Sequence, residues 1–246
     1  MMDMHERTRM LIGEKGLKKL SEASVIVFGL GGVGGAATEF LCRAGVGAIT
    51  VVDFDKVKES NLNRQLIALR STVGRPKAEV ITERLREINP GCAVTPVEDF
   101  FAPDTAENFD LPAFDYVLDC IDSLNPKVEL IVRCKTLGVP LVVSTGAGGR
   151  IDPTGVRVSD LFATRNCPLA RHLRKRLRSR GISGPIPAVH TDTPALVSEP
   201  LEPKAEDFHR GRARSPVGSI SYLPVIFGAV MAGHVVKELV EEKQEG

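Results

Sequence analysis

A chain of 246 residues of which 43% are hydrophobic can bury a real core, which excludes disorder as its default state. Lys and Arg number 32 against 31 Asp and Glu, so no global field draws the chain to nucleic acid or to an anionic membrane, and any such binding must be local. The runs VIVFGL, ITVV and LVVS fall far short of the roughly 20 apolar residues of a membrane span, and the first ten residues lack an apolar signal core. No membrane span is expected, and the chain reads as cytoplasmic.

Along the first two thirds, short apolar runs alternate with amphipathic stretches, the pattern of a parallel sheet covered by helices on both faces. The fold class expected is α/β, with a Rossmann-like, mostly parallel sheet and a C-terminal elaboration. Strands are predicted at residues 25–30, 49–53, 94–98, 116–119 and 141–144, rich in Val, Ile and Leu as strands buried on both faces should be. Helices are predicted at 35–44 after a glycine turn, at 77–88 before an Asn-Pro stop, and at 126–137, closing on Gly138. After Gly146, glycine and proline become frequent and the periodicity weakens. A helix is predicted at 168–180, a long surface loop at 188–215, and a final helix at 223–240 with small residues at Gly228, Ala229, Ala232 and Gly233. The whole chain reads as one domain, with residues 1–145 as a nucleotide-binding core and 146–246 as a substrate-side elaboration ending in the last helix.

The segment Gly29-Leu30-Gly31-Gly32-Val33-Gly34 follows the first strand and opens a helix, the context that makes G-x-G-x-x-G informative. Gly29, Gly31, Gly32 and Gly34 would allow a tight turn, close approach of backbone N–H groups to a phosphate, and packing of the helix on its strand. Asp53, at the end of the second strand, is placed to accept hydrogen bonds from ribose hydroxyls. Dinucleotide oxidoreductases use the same device, but the polar stretch from Asp53 through Asp55, Asn61 and Arg64 to Gln65 has no use in hydride transfer. Arg64 and Lys77 supply two cations to bracket a triphosphate, Asn61 and Gln65 can donate amide hydrogen bonds, and Asp122 would hold Mg²⁺ with the help of substrate phosphates. Together they describe nucleotidyl transfer from ATP.

G-L-G-G-V-G, D-F-D, S-N-L-N-R-Q, G-x-x-K and D-C-I-D, in this order, resemble the adenylation domain of the ubiquitin-activating superfamily, whose bacterial members include MoeB- and ThiF-like enzymes. The resemblance covers Arg7 to about Ser144. It implies attack of a carboxylate on the α-phosphorus of ATP, giving an acyl-adenylate and pyrophosphate. By position, Gly31 and Gly32 would face the nucleotide, Asp53 the ribose, Asn61, Arg64 and Lys77 the phosphates, and Asp122 the magnesium. Arg7 corresponds to an arginine that family homodimers insert into the neighbouring subunit's site.

Relatives that activate ubiquitin-like sulfur carriers commonly carry two C-x-x-C pairs. Here Cys42, Cys92, Cys120, Cys134 and Cys167 form none, which argues against a zinc knuckle and a disulfide framework alike. Ile88-Asn89-Pro90, Ser144-Thr145-Gly146-Ala147-Gly148, Asp152-Pro153, Pro168-Leu169-Ala170 and Gly218-Ser219-Ile220-Ser221 instead resemble the branch that adenylates a threonylcarbamoyl carboxylate on tRNA adenosine and cyclises it with loss of AMP. Local charge agrees: residues 151–184 hold eight Lys/Arg against two acids. Arg171, Arg174, Lys175 and Arg178, at i, i+3, i+4 and i+7, would share one helix face toward successive tRNA phosphates. The absence of Trp gives little sign of base stacking. Cys167 reads either as a small loop residue or as a thiol near the activated carboxyl. Two other readings are an adenylating activator of a sulfur-carrier or ubiquitin-like protein, with a sulfur-transfer partner, and a dinucleotide-binding redox protein.

Overall fold

The computed structural model describes residues 4–196 and 217–241. Five strands run parallel, β1 (Ser24–Phe28), β2 (Ala48–Val52), β3 (Ala93–Val97), β4 (Tyr116–Asp119) and β5 (Leu141–Ser144), and are joined by β6 (Arg157–Asp160) and β7 (Pro187–His190) in the order β3-β2-β1-β4-β5-β7-β6. All neighbours are parallel except β6 and β7. The helices are α1 (Glu6–Glu22), α2 (Gly32–Ala44), α3 (Lys77–Ile88), α4 (Leu124–Leu137), α5 (Pro168–Arg178) and α6 (Leu223–Val240). This is the expected Rossmann-like α/β sheet.

The alternation of β1 divides the core. Val25 and Val27 face Leu41 of α2, Ile81 of α3 and Phe227 of α6, whereas Ile26 and Phe28 face Ile131 of α4 and Leu173 of α5. Both faces are therefore covered, as a parallel sheet requires. The strand order reverses between β1 and β4, so the C-terminal ends of these two strands diverge there and leave the crevice in which such sheets bind ligands.

Three elements differ from expectation. α1 was not foreseen, because among its residues only Gly16 and Leu20 are buried and its apolar stripe is thin. β6 reads as polar because it is an antiparallel edge strand. The loop expected at 188–215 begins instead as strand: residues 188–190 belong to β7, which is fully buried there between β5 and β6, and residues 197–216 lie outside the described part.

By length and composition α6 is apolar enough to cross a membrane, with a mean hydropathy of 1.6. The three short runs considered above did not include it. In the fold it is a core helix: Leu223, Phe227, Met231 and Val235 are inaccessible, and a Cβ at Gly228 would stand 2.5 Å from Val33 O and 2.8 Å from Ala36 Cβ. Glycine at that point is what lets α6 lie against the start of α2.

Candidate active site

The glycine turn after β1 divides its work among four residues. Gly29 takes φ +89°, a conformation that disfavours side chains, with Cys120 O only 2.9 Å from where a Cβ would stand. At Gly34 a Cβ would fall 1.8 Å from Gly29 O, so this glycine lets the helix close on its own turn. Gly31 is the N-cap of α2, and its open side meets nothing nearer than Gln65 Nε2 at 3.8 Å. At Gly32 a Cβ would stand 2.7 Å from Pro224 Cβ and 3.0 Å from Arg64 O, so this glycine lets the start of α2 lie against α6. Room exists at Gly31, where the first N–H groups of α2 lack intrahelical partners and the helix dipole favours negative charge.

Asp53 is anchored rather than free-standing. Its Oδ2 accepts the Leu30 N–H at 2.6 Å and its Oδ1 the Asp55 N–H at 2.8 Å, so it ties the glycine turn to the end of β2. Burial pushes its carboxyl above the usual range, against the pull of Lys77 and those two N–H groups. Lys77 is held beside it by a local device. Gly74 turns at φ +89°, the Val57 N–H donates to Arg75 O, and the Lys77 N–H donates to Asp55 O, which fixes the first turn of α3 against residues 55–57. The Lys77 ammonium then stands 3.0 Å from Asp55 Oδ2 and 3.9 Å from Asp53 Oδ2, almost wholly buried.

Asn61 and Gln65 are both buried, in the short turns that follow. The Asn61 carboxamide oxygen accepts the Lys58 N–H at 3.0 Å, and Gln65 Oε1 is a buried acceptor without a partner among the described residues. A buried unpaired oxygen costs free energy unless a ligand supplies a donor. Arg64 donates to Ser60 O and Asn63 Oδ1, both at 2.8 Å, and is half-buried. Burial lowers its pKa, against the pull of the Asp122 carboxylate. Asp122 is exposed, with the Ser123 hydroxyl donating to its Oδ1 at 3.3 Å. Among the described residues no three His, Cys, Asp or Glu cluster as a metal cage. One exposed carboxylate such as Asp122 nonetheless suits Mg²⁺, which keeps most of its waters.

Three residues outside the expected set support the site. Behind Asp122, Asp119 and Lys127 form a completely buried ion pair: Lys127 Nζ lies 2.8 Å from Asp119 Oδ1, which also accepts the Ile121 N–H. Lys127 shares a helix face with Ile131 and Cys134, an apolar stripe where a lysine is the signal that was missed. Arg150 is 4% exposed and donates only to carbonyls: Thr193 O at 2.7 Å, Gly146 O at 3.0 Å, Gly148 O at 2.9 Å and Asn166 O at 2.6 Å. It gathers three distant segments around the loop leaving β5, and no pattern in the sequence announces that.

Residues 217–222 strap this region together. Asn63 Nδ2 donates to Ser219 O, the Gly149 N–H to Gly218 O, and the Tyr222 hydroxyl to Ile151 O. Cys167 caps α5 through a long contact with the Ala170 N–H and lies buried beside Gly146, the position of a packed cap. Cys120 and Cys134 also serve packing, since burial pushes both thiols up to about 12. Arg7 is exposed in the first turns of α1.

The four cations expected on one face of α5 differ in what they touch. Arg174 bends back to Thr164 Oγ1 and Leu161 O, and Arg178 lies 5.1 Å over the Phe162 ring, so these two clamp α5 to the turn after β6. Arg171, Lys175 and Arg178 are exposed, and Arg174 is half-buried.

A family model described as the ThiF family matches residues 5–246. The chain belongs to the ThiF family. Among ThiF relatives, the tRNA threonylcarbamoyladenosine dehydratase of Escherichia coli is 42% identical over 248 residues, covering 95% of this chain and 92% of the relative. That of Bacillus subtilis is 36% identical, covering 98% and 96%. The crystal structure of the E. coli enzyme in complex with ATP superposes with a TM-score of 0.84 at 39% identity, over 95% of this chain and 92% of that one. ThiF similarity therefore runs through the C-terminal half as well as the nucleotide half.

Proposed function

We propose that the protein is an ATP-dependent tRNA threonylcarbamoyladenosine dehydratase acting on tRNA in the cytoplasm. The observation that carries this reading is that similarity to such dehydratases spans the chain through residues 146–241, beyond the nucleotide half. An activator of a sulfur-carrier protein would share the adenylation step, but that extent favours RNA as the acceptor. Product analysis of tRNA after incubation with ATP and Mg²⁺ tests the reading.

In this mechanism the ATP phosphates lie over Gly31 and the N-terminus of α2, with Asp53 and Asp55 on the ribose side and the unpaired Gln65 oxygen and Asn61 lining the crevice. The substrate carboxylate attacks the α-phosphorus, the bond from that phosphorus to the α,β-bridging oxygen breaks, and pyrophosphate leaves with that oxygen. Arg64 and Lys77 stabilise the charge that builds on the phosphoryl oxygens, more strongly in the transition state than before it. Asp122 would hold Mg²⁺, which when bound neutralises phosphate charge. The mixed anhydride is then closed by a nucleophilic atom of the same threonylcarbamoyl group, and AMP departs with the former carboxylate oxygen. ATP has thereby removed the elements of water.

A homodimer belongs to this proposal. Met10 and Leu11, 81% and 88% exposed, stand on α1 near Arg7, an apolar surface that a second copy would cover. If Arg7 completes the neighbour's site, an Arg7→Ala chain and an Asp122→Asn chain, each inactive alone, regain activity when mixed. Random exchange makes half the dimers mixed, each with one complete site, so recovery reaches about a quarter of wild type. No recovery after subunit exchange has been demonstrated would place Arg7 outside the shared site.

A further inference from the structure

The solvent side of α5 forms a groove of about 450 Å³ lined by His172, Lys175, Arg176, Ser179 and Arg180. No acidic side chain lines it. Its inner face is apolar, with Ala170, Leu173 and Leu177 buried, so the helix is held by packing and leaves its outer cations available.

The cations are not equivalent. Arg180 pairs with Glu129 at 3.0 Å, which offsets its charge. Arg176 donates to the neutral Asn125 Oδ1 at 2.8 Å, which orients the guanidinium without neutralising it. Among the described residues no carboxylate pairs with Lys175 or Arg176. Two adjacent uncompensated cations on a rigid helix remain, with a hydroxyl and an imidazole beside them.

The groove also has a defined relation to the reaction centre. Arg176 meets Asn125 and, one turn on, Arg180 meets Glu129, so α5 runs alongside α4 in parallel register. Continuing that register one turn back brings His172 level with the loop that precedes α4 and carries Asp122.

We propose that this groove binds backbone phosphates of the tRNA next to the nucleotide being activated, with Lys175 and Arg176 as the principal contacts and His172 and Ser179 as hydrogen-bonding flanks. The inference rests on the dehydratase reading and names the surface that presents the RNA. The chemistry suits phosphodiester rather than base: the lining offers cations and donors and no Phe, Tyr or Trp ring on which a base would stack. Arg174, bonded to Thr164, and Arg178, stacked over Phe162, do not line the groove.

The test measures binding of fluorescently labelled tRNA from low to physiological salt. Lys175→Gln/Arg176→Gln is expected to weaken binding about tenfold near physiological salt and to flatten the slope of log affinity against log salt by nearly two, while ATP binding stays unchanged. Arg178→Gln, at a guanidinium that lies over Phe162 and does not line the groove, changes tRNA affinity less than about twofold. A wild-type slope and affinity in the double variant, or a larger loss from Arg178→Gln, overturns the groove and leaves the dehydratase reading standing if tRNA is still dehydrated. An unsubstituted protein that neither binds nor dehydrates tRNA overturns both.

Discussion

Arg64→Ala is expected to slow acyl-adenylate formation by about 10²–10³ while changing ATP affinity only a few-fold, because its guanidinium acts on charge that develops in the transition state. The substitution is clean: Arg64 is half-buried and its fixed contacts are a backbone carbonyl and an amide oxygen, so no carboxylate in direct contact with it is left buried. Lys77→Ala differs. It strips the cation from Asp55 and Asp53 in a dry setting, so both thermal stability and rate should fall. Asp53→Ala removes the acceptor of the Leu30 and Asp55 N–H groups and loosens the glycine turn, so its effect should appear chiefly as weaker nucleotide binding. Single-turnover kinetics with separate ATP titrations distinguishes these patterns, and a rate unchanged in Arg64→Ala would remove it from the chemistry.

The second large effect is structural. Lys127→Met leaves the Asp119 carboxylate without its counter-ion where both side chains are wholly inaccessible, and should cost about 3–5 kcal/mol in denaturant unfolding. Asp119→Asn together with Lys127→Met removes both charges and should recover most of that loss, since the penalty belongs to the uncompensated ion rather than to the absent pair. A loss below about 1 kcal/mol in the single variant would show that the pair is better solvated than its burial implies.

How much of this was legible beforehand follows from the range of the forces involved. Strands buried on both faces announce themselves as apolar runs, so β4 and β5 were predicted to the residue and β1, β2 and β3 to within one or two positions. Helix starts were less clear: α2 begins at Gly32, three residues before the expected 35, because its first turn is the glycine motif itself, read in sequence as a turn. Asp53, Arg64, Lys77 and Asp122 were nameable because they sit in motifs that resemble, in the same order, those of the adenylation superfamily. Arg150 was not, because its four carbonyls come from Gly146, Gly148, Asn166 and Thr193 and only folding brings them together. Helical spacing placed Arg174 and Arg178 on one face with Lys175, yet spacing carries no information about Thr164 and Phe162, which claim both arginines in the fold. The same limit hid β7, whose Ala188 and Val189 are too short an apolar pair to signal a strand.

The central claim is that ATP is spent on a carboxylate carried by tRNA. The decisive measurement incubates tRNA bearing threonylcarbamoyladenosine with the protein, ATP and Mg²⁺, digests the tRNA to nucleosides and weighs them by mass spectrometry while AMP is counted. The account predicts conversion to a nucleoside lighter by one water, with one AMP released per nucleoside converted and none converted by the Asp122→Asn protein. An unchanged nucleoside, with adenylate appearing instead on the C-terminus of a carrier protein supplied in the same reaction, would contradict it.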